Sequence, residues 1–364
     1  MDGKPKLPMA AEGERAGAPL AARLLEHTVE GTLYERRDDG ALRCTACAHR
    51  CVIAQGSAGA CAVRVHHSGA LRVPFGYIAR HYVRSVETNT VYHVRPGAKA
   101  LTFGMFGCDL RCPYCHNHKV SQALRDRREE ERPRPVRPED LVAEAVAAGC
   151  EVMCAAYNEP MITAEWARAV FTEAKRAGLT TALISDGNTT PEALELMRPV
   201  TDVYRIDLKG YTEEQYRTLG GRLQPVLQAI GLAHQLGYWV EVVTLVVPGF
   251  NDHPLGLARL AEHIASVDAA IPWHLNAFVP RYKLSTHVPP SPASLMSAVG
   301  TAYAKGLEFV YASNLLSLTE LGHTRCPGCH HVLVERHDYT TRAVDLRDGG
   351  CPRCERKIPG LWAA

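Results

Sequence analysis

Residues 100–117 read ALTFGMFGCDLRCPYCHN: an apolar run, Ala100 to Phe106, stops at Gly107 and gives way to Cys108, Cys112 and Cys115 in a C-x3-C-x2-C spacing. A short apolar run ending at glycine reads as a buried strand, which puts the cysteines on the loop at its C-terminal end. Six further runs repeat the pattern: EVMCAAY (151–157), TTALIS (180–185), DVYRIDL (202–208), WVEVVTLVV (239–247), PWHLNAF (272–278) and LEFVYAS (307–313). Segments with helical apolar spacing fill the gaps at 138–148, 163–177, 191–197, 225–236, 254–265 and 291–305, several with Pro in the first turn and Gly just after the end. This alternation predicts an α/β fold with a parallel sheet, a partial (β/α)6-type TIM barrel. In barrels the chemistry sits where strands run out into the following loops. Asn158 and Glu159 follow the second strand, Ser185 and Asp186 the third, Asp207 and Lys209 the fourth, and His274 lies on the sixth. Polar side chains thus collect at one predicted rim.

Three thiolates on one short loop is an informative number. Passive iron–sulfur carriers take four, and three leave one metal corner open to a substrate or cofactor. The bland alternative is structural zinc, with a fourth ligand from His116, His118 or elsewhere.

The rest of the 364 residues narrows the class. Charged residues make up 22% and mean hydropathy is −0.15, which excludes bulk disorder. Lys and Arg number 41 against 39 Asp and Glu, so a net +2 names neither nucleic acid nor an anionic surface as a partner. No signal-like apolar segment and no run of about 18 apolar residues occurs, so a cytoplasmic protein is expected. Thirteen cysteines in a reducing compartment point to metal rather than to disulfides. The expected organisation is a disordered leader over 1–20, a cysteine-rich region over 21–97, the barrel over 98–318 and a small metal module over 319–364. The mixed-charge stretch RDRREEERPRPVRPED (125–140) reads as a solvated connection.

Cys326-x2-Cys329 and Cys351-x2-Cys354 form two knuckles around a predicted hairpin, a zinc-ribbon or rubredoxin-like module in which structural zinc is expected over redox iron. Cys44, Cys47, Cys51 and Cys61 give a second full ligand set, with His49 as a spare donor. Zinc and an auxiliary iron–sulfur cluster both remain open there, with zinc slightly favoured. Cys150 and Cys154, on or beside the second strand, read as small buried hydrophobes. Basic residues near the C-terminus, Arg325, Arg336, Arg342, Arg347, Arg353, Arg356 and Lys357, are interspersed with acids and lack an aromatic platform, so nucleic acid is not an expected partner.

The triplet with Tyr114 before its last cysteine resembles the signature of radical S-adenosylmethionine (SAM) enzymes. In that superfamily three thiolates hold a 4Fe-4S cluster, and the fourth iron binds the amino and carboxylate groups of SAM. The resemblance implies Cys108, Cys112 and Cys115 as ligands and Tyr114 as an aromatic near the adenine. Cys115-His116-Asn117, Glu159, Asp207-Leu208-Lys209, Val247-Pro248-Gly249 and Pro272-Trp273-His274 are similar to motifs of glycyl-radical-enzyme activases such as pyruvate formate-lyase activating enzyme. By that likeness Glu159 meets the SAM amino group, Lys209 its carboxylate and His274 the ribose. Where activases carry Asp-Thr-Asn-Gly this chain has Ile184-Ser185-Asp186-Gly187. With the cysteine-rich start, Tyr92-His93 and the closing Ile358-Pro359-Gly360-Leu361-Trp362, residues 40–362 resemble the radical SAM enzyme of the AmmeMemoRadiSam system. The resemblance implies reductive cleavage of SAM, a low-potential electron donor of flavodoxin or ferredoxin type, and hydrogen abstraction from a substrate such as a partner protein. Two competing readings are a radical SAM enzyme modifying a peptide or small molecule with an auxiliary cluster, and a non-catalytic zinc-scaffold interaction protein.

Overall fold

Each of the seven apolar runs becomes a strand of one eight-stranded sheet in the computed structural model, which describes residues 19–362. The leader expected over 1–20 lies outside the described residues up to residue 18. The strands are β1 (Arg80–Ser85), β2 (Lys99–Gly104), β3 (Val152–Ala155), β4 (Thr180–Ser185), β5 (Val203–Asp207), β6 (Trp239–Val246), β7 (Trp273–Ala277) and β8 (Val310–Ser313). They lie side by side in chain order, with β2 to β8 parallel and β1 antiparallel to β2. Every residue of β3 and of β7 is buried, as a parallel sheet covered on both faces requires.

The crossovers are α1 (Pro138–Ala147), α2 (Ala164–Arg176), α3 (Pro191–Met197), α4 (Glu213–Leu219), α5 (Leu223–Gln235), α6 (Pro254–Val267) and α7 (Pro292–Ala304). Proline opens α1, α3, α6 and α7, where its missing N–H costs no helical bond. Two elements depart from expectation. β1 comes from the cysteine-rich region: its RHYVRS carries no apolar alternation because it is a half-exposed edge. α4 starts on a capping box in which the Thr212 hydroxyl accepts from the Gln215 N–H and the Gln215 side chain from the Thr212 N–H, both at 3.1 Å.

The N-terminal region folds as two small antiparallel sheets, one of Thr28–Glu30, Ala70–Pro74 and Val65–His67, the other of Tyr34–Arg36, Leu42–Cys44 and Val52–Ile53. Arg64, 1% exposed, ties the region to the main sheet. Its guanidinium donates to both oxygens of Glu165 in the first turn of α2, at 2.8 and 2.9 Å, and to the Ile162 carbonyl at 3.1 Å.

The C-terminal segment adds a three-stranded sheet of Thr324–Arg325, Val332–His337 and Thr340–Val344. It has no separate core, since Leu333, Cys326, Cys351 and Ile358 pack with Tyr92, Phe309 and Tyr311. At that junction Glu241 of β6 accepts the backbone N–H groups of Tyr92 and His93, the indole N–H of Trp239 and Nε2 of His274. His93 joins the two parts, with Nδ1 2.7 Å from the Pro359 carbonyl and Nε2 2.6 Å from the Tyr311 hydroxyl.

Removing one partner of a buried ion pair leaves the other charge uncompensated, a loss of about 3 to 5 kcal/mol. Arg64→Ala is therefore expected to lower thermal stability strongly, and Arg64→Met with Glu165→Leu to recover most of the loss. A double variant no more stable than the single one would show that the pair is not the tie. Burial pushes the His93 pKa down to about 4, against the pull of Glu241. A histidine neutral when folded and charged when unfolded costs nothing above pH 6.5 and withdraws stability as pH falls from 6.5 to 4. His93→Gln is expected to flatten that acid-side loss by up to ~3 kcal/mol, read from urea midpoints at pH 7 and 4.5. Parallel pH profiles for wild type and variant would contradict it.

Candidate functional site

Because β2 to β5 are parallel neighbours, the loops after them open on one edge. The backbone there is crowded. Gly104 ends β2 where a Cβ would stand 2.3 Å from the Ala156 carbonyl, so glycine lets the loop after β3 cross close by. Tyr157 in that loop takes φ +69°, a left-handed conformation costing a bulky residue about 1 to 3 kcal/mol. Asn158 pins the two loops together: its Oδ1 accepts the Met105 N–H at 2.9 Å and its Nδ2 donates to the Glu159 carbonyl at 3.0 Å.

The loops line a cleft, open to solvent, of about 740 Å³. Cys108, Cys112, Cys115, Asn158, Glu159, Asp186, Asp207 and Lys209 all line it, as the sequence predicts. Three predicted residues do not. Ser185 lies behind the wall, donating to Glu159 at 2.8 Å and meeting the Tyr204 hydroxyl. Tyr114 is buried with its ring 5.9 Å from that of Phe250, and its hydroxyl has no partner among the described residues. His274 departs furthest: it is the second residue of β7, 2.7 Å from Glu241, with its ring packed on Tyr92 and Tyr311, and it does not reach the cleft lining.

The sequence reading also missed residues. Arg205 lines the cleft, and a strand's period of two puts it on the same face as Asp207 and Lys209. Asp207 joins Arg205 through one oxygen and Lys209, at 2.9 Å, through the other. Burial opposes the charge on each, yet Asp207 stays below its ordinary pKa through Arg205 and Lys209, and Lys209 rises above its own through Asp207. Arg125, the first residue of the supposed solvated connection, turns inward and donates to the carbonyls of Leu110, Ala60 and Cys108.

The acids behave differently from Asp207. Burial and then Asp186 push Glu159 well above the carboxylate range, and burial and then Asp109 do the same to Asp186. Asp109 is raised by burial and by Glu159 to about 6. Burial likewise lifts the thiols of Cys108 and Cys115, and that of Cys112 to about 12, although Lys209 opposes the shift at Cys112. These groups are buried in their neutral forms' favour, and a metal or a cationic ligand reverses that preference.

Among the described residues, two groups bring three or more metal-binding atoms within 4.8 Å of one another: Cys326, Cys329, Cys351 and Cys354, and Cys108 with Asp109 and Asp186. In the first, Cys326 and Cys354 sulfurs are 3.4 Å apart and those of Cys329 and Cys351 3.6 Å. Tetrahedral zinc with 2.3 Å bonds sets its sulfurs about 3.8 Å apart, so this quartet suits one ion. The triplet is more open, as suits thiolates on separate corners of a cluster.

Residues 103–261 match the model of the Radical SAM superfamily. The chain is 31% identical over 334 residues to the uncharacterized protein MJ0808 of Methanocaldococcus jannaschii, an alignment spanning 90% of this chain and 98% of that one. It is 26% identical over 206 residues to the pyruvate formate-lyase-activating enzyme of Staphylococcus aureus, covering 53% of this chain and 78% of that enzyme. The solved structure of Streptococcus suis SuiB overlaps 64% of this chain and 53% of that chain at 10% identity, with a TM-score of 0.46. The chain belongs to the radical SAM superfamily. Within it, the chain is related to the pyruvate formate-lyase-activating enzymes and shares nearly its whole length with MJ0808. Membership implies a 4Fe-4S cluster and SAM. The residues present fit both: three thiols open to one cleft, acids and a lysine that together answer a zwitterion, and a buried Tyr114 hydroxyl left over. Among the described residues no helix is long and apolar enough to cross a membrane.

Cys354 is the exposed member of the C-terminal quartet. Cys354→Ser is expected to lower the bound metal by about one ion per chain, measured by elemental analysis of protein purified without chelator. Unchanged metal content would mean that the four thiols do not hold an ion.

Proposed function

We propose that the chain reductively cleaves SAM at a cluster held by Cys108, Cys112 and Cys115 and abstracts hydrogen from a substrate, the relation to activating enzymes favouring a residue of a partner protein. The observation that carries this reading is the cleft in which three thiols meet acids and a lysine. When bound, the cluster and SAM supply one-electron chemistry that yields a 5′-deoxyadenosyl radical. The chain supplies position. Glu159 and Asp186 accept the SAM ammonium, and Lys209 takes the carboxylate. Asp207 keeps Lys209 charged and aimed, while Ser185 and the Asp186 and Met161 N–H groups fix Glu159. Tyr114 packs behind the cysteine loop with Leu110 and Cys112 and holds that loop in place. His274 is assigned a structural role within the sheet instead of a ribose contact, because Glu241 already holds it.

The same reading treats the sequential sheet as a partial barrel, the C-terminal quartet as structural zinc, and the electron source as a low-potential flavodoxin or ferredoxin type of protein. The motifs shared with the radical SAM enzyme of the AmmeMemoRadiSam system favour that family. A glycyl-radical or other protein substrate is the target to seek first.

Protein reconstituted anaerobically with iron and sulfide, then given dithionite and SAM, is expected to form 5′-deoxyadenosine, and Cys112→Ala to form none. Equal yields from both, or SAM left intact by iron-loaded wild type, would overturn the reading and favour a zinc scaffold.

A further inference from the structure

The proposed reaction makes no use of Cys44, Cys47, Cys51 and Cys61, yet the fold gathers them. Cys44 ends one strand and its N–H donates to the Cys51 carbonyl at 2.9 Å, while Cys47 and Cys61 lie on the loops that follow. Cys44, Cys47 and Cys61 are buried, Cys51 is half-buried, and all four are free thiols.

Two local features mark loops built around a metal. The Ala60 N–H points at Cys51 Sγ, 3.3 Å away. Arg50 and Ala62, beside Cys51 and Cys61, take φ +43° and +65°, as do His330 (+59°) and Glu355 (+61°) beside Cys329 and Cys354 of the C-terminal quartet. Left-handed backbone is costly for residues other than glycine, so the shared device points to chain wrapped around sulfur in both places.

The two sets differ in spacing. The C-terminal sulfurs all lie within 4.8 Å of one another, whereas no three of the N-terminal ones do. That is wider than the donor set of a single zinc, whose sulfurs sit about 3.8 Å apart, and suits thiolates that each hold their own iron. We propose that Cys44, Cys47, Cys51 and Cys61 hold a second, four-thiolate iron–sulfur cluster directly beside the cleft. The Arg125 guanidinium spans the two cysteine loops, donating to the Ala60 and Cys108 carbonyls. The Ala48 N–H donates to the Asn188 carbonyl at 3.1 Å, and Asn188 Nδ2 to Asp109 at 2.7 Å. Four thiolates close every iron corner, so this group stores charge and does not bind substrate.

The test uses the full chain reconstituted anaerobically with iron and sulfide. About eight irons and eight sulfides per chain are expected in wild type, and about four of each when Cys108, Cys112 and Cys115 are all changed to Ser. The reduced electron paramagnetic resonance signal of that variant should ignore added SAM. Cys47→Ser with Cys61→Ser should also keep about four irons, with a signal that SAM alters. Wild type with about four irons and two zincs per chain, or an iron-free triplet variant, overturns the proposal. Should a variant misfold, the Mössbauer spectrum of wild type decides alone: two cluster populations of equal area support the second site, and one refutes it. Failure of the radical reading would look different, with the eight-iron content standing and SAM perturbing no signal.

Discussion

Strand direction is the constraint from which the rest follows. Seven neighbouring strands run the same way, so the residue after each strand opens on the same edge, and β2 to β5 deliver their loops to one cleft. An antiparallel sheet would have divided Cys108, Glu159, Asp186 and Lys209 between two ends. The sheet also explains why the cleft can be polar. Its wall is rigid and buried on both faces, and charges held on it cannot relax away from one another.

Those charges fall into two kinds. Asp207 lies between Arg205 and Lys209 and is satisfied within the protein, so its charge is stable without a ligand. Glu159, Asp186 and Asp109 are not: burial and mutual repulsion raise all three. Glu159 nonetheless accepts from Ser185, Asp186 and Met161, which fixes where its oxygens point before anything binds. An acid held in place yet short of positive charge is prepared for a cation, and Lys209 brings the opposite charge to the same cleft.

Much of this was legible in the sequence, for reasons that particular residues make plain. Buried parallel strands read as uninterrupted apolar runs, which is why EVMCAAY and LEFVYAS could be placed, while RHYVRS, an exposed edge, could not. The cysteine triplet announced itself by spacing. His274 shows what a sequence leaves out: it stands level with Val243 and so with Asp207, but its Nε2 meets Glu241 and its ring packs on Tyr92 and Tyr311, partners that only the fold brings together. Arg205 was readable from the alternation of 205, 207 and 209. Arg125 was not, since an arginine opening RDRREEERPRPVRPED looks like all the others, and only the tertiary fold turns its guanidinium toward three buried carbonyls.

The cysteines show the same limit from another side. Sequence spacing says how many ligands a loop can offer, and on that count the N-terminal and C-terminal quartets are equivalent. What separates one ion from a cluster is how far apart the sulfurs come to rest, and that depends on what the loops pack against. The C-terminal knuckles close on each other over a shared core with Tyr92 and Phe309. The N-terminal cysteines are distributed over a small sheet and two loops, and the Arg64–Glu165 pair and the Arg125 bridge fix that region against the main sheet. The wider spacing is thus set by tertiary anchoring at several points, which a metal-driven collapse of a free loop would not reproduce.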